Sequence, residues 1–126
     1  MNTSNPQTQP DVNRDESVKN SGILVLIQCP VPSEDEADAI ADALLSKHLA
    51  ASIHVRSVHS RYRWDGTVVS KIEYVLDIKT LGGLFEQVVE IVRRMHPYKV
   101  PGIWALPVES VTTDYCEWMH DACTQP

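Results

Sequence analysis

No stretch of this 126-residue chain approaches the ~18 uninterrupted apolar residues of a membrane span, so a soluble protein with no membrane partner is expected. Basic charge is scarce: 11 Lys and Arg stand against 17 Asp and Glu, for a net charge of -6. That balance leaves no broad basic footprint to neutralise phosphates and argues against a general nucleic-acid partner. The three cysteines, Cys29, Cys116 and Cys123, are odd in number and form no C-x-x-C, so neither a disulfide framework nor a zinc knuckle is suggested. If Cys116 and Cys123 share a helix, they stand roughly 10 Å apart along its axis, too far to bridge. Reduced thiols in a reducing compartment follow, and a cytoplasmic location is expected. No G-x-S-x-G, zincin or P-loop motif occurs and no nucleophile is identifiable, so no catalytic residues are assigned and an enzyme is not expected.

What is present divides in two. Residues 1–20 (MNTSNPQTQPDVNRDESVKN) are polar and proline-dotted, cannot offset their own ordering entropy, and read as a disordered tail. With Asp11, Asp15 and Glu16 and no apolar h-region, that tail resembles neither a signal peptide nor an acid-poor transit peptide. Residues 21–126 form one domain, large enough to bury a core without metal or disulfide staples.

Within it, Gly22 to Cys29 (GILVLIQC) is an apolar run bounded by Gly22 and Pro30, as a central strand requires. Ser33-Glu34-Asp35-Glu36 is a capping box with an acidic first turn. Ala37, Ile40, Ala41, Leu44, Leu45 and His48 then recur at helical spacing, placing a helix at 34–48. Residues 50–64 read as a strand whose apolar phase changes: Ile53 and Val55 share one parity, Val58, Tyr62 and Trp64 the other. A one-residue bulge near Ser57 would restore a single buried face. Asp65-Gly66 signals a hairpin. The return strand sets Val68, Ile72, Tyr74, Leu76 and Ile78 on one face and Lys71, Glu73, Asp77 and Lys79 on the other. A second helical stripe (Leu84, Phe85, Val88, Ile91, Val92, Met95) ends at Pro97; Gly102 to Val108 is a short edge strand, and Thr112 or Thr113 caps a last helix.

The order β-α-β-β-α-β plus a C-terminal helix is the ferredoxin-like split βαβ arrangement of the α+β class. Each hairpin arm could span about 40 Å, more than a domain of this size covers, so the excess is expected to pack on another subunit.

Several separated stretches carry a resemblance: Cys29-Pro30, Leu49-Ala50-Ala51, Ser60-x-Tyr62-x-Trp64-x-Gly66, Glu73 with Ile78-Lys79-Thr80, His96-Pro97-Tyr98 with Val100-Pro101, Ala105-Leu106-Pro107, and Asp114-Tyr115-x-x-Trp118. In this order, over roughly residues 23 to 119, the chain resembles the CutA divalent-cation-tolerance family. The resemblance implies a ferredoxin-like fold, a homotrimer built by strand pairing between subunits, a role in divalent-metal tolerance with copper foremost, and an architecture like that of PII signalling proteins. The chain departs from the family pattern at Ser52, where many members have cysteine, at Lys99, and at Gly102, where a glutamate is usual.

The resemblance also associates copper with Cys29, Met95 and His96. Thiolate, thioether and imidazole suit Cu(I), and cysteine with histidine suits Cu(II) or zinc. The same residues also read as a small hydrophobe ending a strand, the last member of an apolar stripe and a helix-end cation. The split βαβ order is expected to separate Cys29 from His96 by about a strand length, ~20 Å, so that a shared site would need two subunits. Tyr62, Trp64 and Tyr98 could line a cleft or fill the core. A metal-responsive binding protein, a PII-like sensor or scaffold acting through a small ligand or protein partners, and an enzyme of unrecognised type are the three functions carried forward.

Overall fold

The computed structural model describes residues 18–20 and 23–124. In chain order the elements are β1 (Val18–Asn20), β2 (Leu24–Val31), α1 (Glu34–Ser46), β3 (Ser52–Trp64), β4 (Thr67–Leu81), α2 (Phe85–Met95), β5 (Trp104–Pro107), β6 (Ser110–Thr112) and α3 (Thr113–Cys123). A single 3-10 turn, Gly82–Leu84, leads into α2. The main sheet is antiparallel in the order β3-β4-β2-β5, which is the split βαβ order expected from the sequence. Among the described residues no helix is long and apolar enough to cross a membrane.

Up to residue 17 the expected polar tail lies outside the described residues; residues 18–20 do not continue it. Val18–Asn20 pairs antiparallel with Ser110–Thr112, so that Val18 faces Thr112 and Asn20 faces Ser110. A polar segment with no core face of its own can still be ordered when an unpaired strand offers it a ladder of backbone hydrogen bonds.

Both long helices lie on one face of the sheet. Ala37, Ile40 and Leu44 of α1 and Val88, Ile91 and Val92 of α2 pack on Ile27, Cys29 and Val31 of β2 and Leu76 and Ile78 of β4. Ser33 caps α1: its hydroxyl accepts from the Glu36 amide at 3.1 Å and donates to the Glu36 carboxylate at 2.8 Å. The helix stops at Ser46, two residues short of the expected end, because His48 takes a left-handed φ of 57°. Leu45 and His48, placed in the buried stripe by spacing, are exposed. Glu90 and Arg94 pair at 2.8 Å one turn apart in α2. A second cluster, Leu24 with Cys116 and Met119, seats α3 at the sheet end where β2 begins. All three cysteines are free and buried.

The hairpin is regular over its full length. Ser52 faces Lys79 and Trp64 faces Thr67 in one uninterrupted register, so the expected bulge near Ser57 is absent. The apolar phase switches for a different reason. Near the helices the ribbon uses the face that carries Ile53 and Ile78; beyond them it uses the opposite face, on which Val58, Tyr62 and Trp64 stand across from Glu73, Val69 and Thr67. Glu73, expected on the solvated face, is 4% exposed, while Ile72, expected to be covered, is 51% exposed.

Candidate functional site

α2 follows the descending strand β4 and climbs back beside the sheet, so its C-terminal end arrives where β2 ends. The expected strand-length separation of Cys29 from His96 is therefore overturned. Chain direction, not sequence distance, decides it: α1 starts and α2 finishes at the same end of the sheet. His96 is buried against the residue that follows Cys29. Its Nε2 lies 2.7 Å from the Pro30 carbonyl and its Nδ1 accepts from the Tyr98 amide at 3.1 Å. A carbonyl can only accept, so Nε2 carries the proton and Nδ1 the lone pair, and both ring nitrogens are engaged. Pro97, between them, turns the chain back across the ribbon.

That return places Tyr98 on the sheet face opposite the helices. Its hydroxyl donates to Glu73 Oε2 at 2.6 Å. Burial, the hydrogen bond to Glu73 and the neighbouring Tyr62 hydroxyl together hold the Tyr98 phenol protonated, well above the ordinary phenol range. Lys71, two residues before Glu73 on the same face, sets its ammonium 4.7 Å from the Tyr98 ring centroid and 5.9 Å from that of Tyr62. Between this group and the far half of the hairpin lies a cleft of about 680 Å³ whose walls include Tyr62, Trp64, Glu73, Tyr98, Lys99 and Gly102. Tyr62, Trp64 and Tyr98 thus line a cleft rather than fill the core.

A second polar chain crosses the same sheet face. Arg56 on β3 bonds Asp77 on β4 at 2.6 Å, Gln28 on β2 donates to Asp77 at 2.9 Å, and the Trp104 indole on β5 donates to Gln28 at 2.9 Å. The Asp77 carboxyl sits below its ordinary range: partial burial pushes it up, and the bonds from Arg56 and Gln28 outweigh that. A Cβ added at Gly102 would stand 3.1 Å from the Trp104 ring, so glycine there lets the indole pack directly against the chain at this position.

A family model for the CutA1 divalent ion tolerance protein matches residues 25–122. The chain belongs to the CutA1 family. It is 41% identical over 92 residues to the divalent-cation tolerance protein CutA of Thermus thermophilus, covering 72% of this chain and 89% of that protein. It is 34% identical over 116 residues to protein CutA of Mus musculus, covering 91% of this chain and 64% of the mouse protein. Two solved structures share the fold. The divalent cation tolerance protein (Cut A1) from Thermus thermophilus superposes with a TM-score of 0.77 at 36% identity, over 81% of this chain and all of that one. The periplasmic divalent cation tolerance protein CutA from Archaeoglobus fulgidus gives 0.79 at 30% identity, over the same shares.

The residues the resemblance associates with copper can be tested on this CutA1-family chain. Cys29 is fully buried, and burial, reinforced by the charge of Glu73, pushes its thiol up to about 12. His96 has no free nitrogen, and Met95 packs against the core between the helices and the sheet. The three come to one end of the fold, and a copper ion held there would have to displace the Cys29 thiol proton and one of the two hydrogen bonds of His96. Among the described residues no group of three His, Cys, Asp or Glu side chains could hold a metal ion. The residues that do converge, Glu73 and Lys71, had no role assigned from sequence. The signals available were a charge embedded in the apolar run Ile72-Glu73-Tyr74-Val75 and the place of Glu73 among the stretches that carry the resemblance.

Proposed function

We propose that this chain serves divalent-cation tolerance as a cytoplasmic homotrimer, acting as a binding protein rather than as an enzyme. The observation that carries the reading is the distal hairpin. Val68 and Ile72, on the face away from the cleft, are roughly half exposed, and the edge strand β5 adds Trp104 and Leu106. β3 and β5 are the two unpaired edges of the sheet. An edge of 13 residues such as β3 is a template for another strand, and pairing between subunits would use it up while covering the apolar ribbon. Three free, buried thiols suit a reducing compartment. Copper is the first cation to examine, and its binding by Cys29, Met95 and His96 would have to displace the thiol proton and one hydrogen bond of the imidazole. Light scattering should return three times the chain mass, and a strain lacking the protein should regain growth on copper when it is restored. A monomer at micromolar concentration, or growth indifferent to the protein, removes the reading.

The cleft favours a second reading, a PII-like sensor that answers to a small ligand. Its size falls in the range of small-molecule sites, about 300–1,000 Å³, and it joins aromatic walls to a buried carboxylate. A thermal-shift panel of small metabolites separates this from direct metal binding, since metals alone would then leave the melting temperature unchanged.

A further inference from the structure

The cleft's own residues leave one strong acceptor open. Glu73 lines the cleft and is 4% exposed. Oε2 accepts the hydrogen bond from the Tyr98 hydroxyl, but Oε1 has no hydrogen-bond donor among the described residues. A buried carboxylate oxygen without a donor is costly, and such groups are satisfied in the working state. Around the opening stand cations: exposed Arg61 and Lys99 line it, and Lys71 lies over the two tyrosine rings. None of the three is ion-paired among the described residues. Three aromatic residues, Tyr62, Trp64 and Tyr98, line the same cleft.

These features restrict the occupant. A purely anionic molecule would meet the Glu73 charge inside the cleft, and a purely cationic one would meet the like charges of Arg61 and Lys99 that line it. A neutral aliphatic molecule would leave both Oε1 and the cations unanswered. We propose that the cleft binds a small planar N–H heterocycle bearing an anionic arm. The ring lies against the aromatic walls and donates N–H to Glu73 Oε1, and the anionic group reaches Lys99 and Arg61. This rests on reading the cleft as a ligand site. Two sources share the chemistry, a purine nucleoside phosphate and a heteroaromatic carboxylic acid.

The test uses the full chain with three probes: guanosine 5′-monophosphate, indole-3-acetate, and guanosine as the ring without the charge. Binding is followed by calorimetry and by tryptophan fluorescence. Saturable binding of the monophosphate that exceeds guanosine by about tenfold or more supports the proposal with a nucleotide source; the same for indole-3-acetate supports an acid source. Loss of one good aromatic stack typically weakens binding by about tenfold or more, so Trp64→Ala should do so. Lys99→Gln should abolish the advantage of the charged probe over guanosine. Glu73→Gln presents an amide N–H where Oε1 stood and should weaken all three probes, with the mass in solution unchanged. Equal binding of guanosine and its monophosphate overturns the anionic arm yet leaves the cleft a ligand site. No saturable binding of any probe at millimolar concentration overturns both.

Discussion

Removing one hydroxyl tests how the cleft is held. Tyr98→Phe deletes the donor that lies 2.6 Å from Glu73 Oε2, and that carboxylate then has no hydrogen bond among the described residues while staying almost wholly buried. A hydrogen bond to a charged group contributes about 1.5–3 kcal/mol, and an orphaned buried acceptor adds its desolvation cost, so a loss of about 2–3 kcal/mol per chain is expected. Glu73→Gln keeps an acceptor for Tyr98 and should cost about 1 kcal/mol. Replacing both partners with apolar groups, Tyr98→Phe with Glu73→Leu, should recover much of the single-variant loss, giving a coupling of about 1.5–3 kcal/mol in the cycle. The assay is denaturant unfolding at one fixed chain concentration, with the assembly mass checked for each variant so that dissociation enters equally. Alkaline pH supplies an independent arm. The Tyr98 phenol is raised in the folded state, first by burial and then by its bonds to Glu73 and Tyr62. Its stabilisation is therefore complete below the unfolded phenol value, about 10, and is lost as pH rises above it. The gap between parent and Tyr98→Phe should narrow above that pH. A Phe variant within about 0.5 kcal/mol of the parent, or a gap independent of pH, would refute the account of Tyr98 as the clamp on Glu73.

Three further outcomes follow from single contacts. Thr80 is fully buried and its hydroxyl donates to the Leu49 carbonyl at 2.7 Å, so Thr80→Val should cost about 1–2 kcal/mol in the same unfolding assay; no change would mean the carbonyl finds another donor. The Cys29 thiol, raised from 9.0 to about 12 by burial and by Glu73, stabilises the fold below pH 9 and loses that contribution as pH climbs toward 12. Cys29 should accordingly resist a thiol reagent at pH 8 until the protein is unfolded, and labelling of the native protein at the rate of a free thiol would contradict the burial. Gly66 sits at φ +80° in the hairpin turn, where a Cβ costs roughly 1–2 kcal/mol, so Gly66→Ala should destabilise by about that amount; a neutral result would mean the turn relaxes.

Periodicity made the elements legible because each helix buries one stripe on one sheet face, and Ser33, Asp65-Gly66 and Pro97 mark boundaries by local chemistry alone. The ribbon's phase change was also legible, but it admits two explanations. A bulge changes the backbone, whereas a change in which face is covered leaves the register intact, and only knowing where the helices end distinguishes them. The cleft was harder to read for a related reason. Glu73 alternates correctly with Lys71 and Asp77, so strand parity assigns it to solvent. What buries it is Tyr98, 25 residues away, carried there by a loop that His96 anchors to Pro30 across 66 residues. Neither contact leaves a local trace. The split βαβ order read from the sequence set His96 a strand length from Cys29, but topology also fixes the direction of α2, since a helix after a descending strand must return upward. Carrying that step through brings His96 beside Cys29, and with it an imidazole whose two nitrogens fasten the cleft loop to the sheet. The histidine that ligand chemistry singles out for copper is thus the one that positions Tyr98 over Glu73, and the two roles compete for the same lone pair.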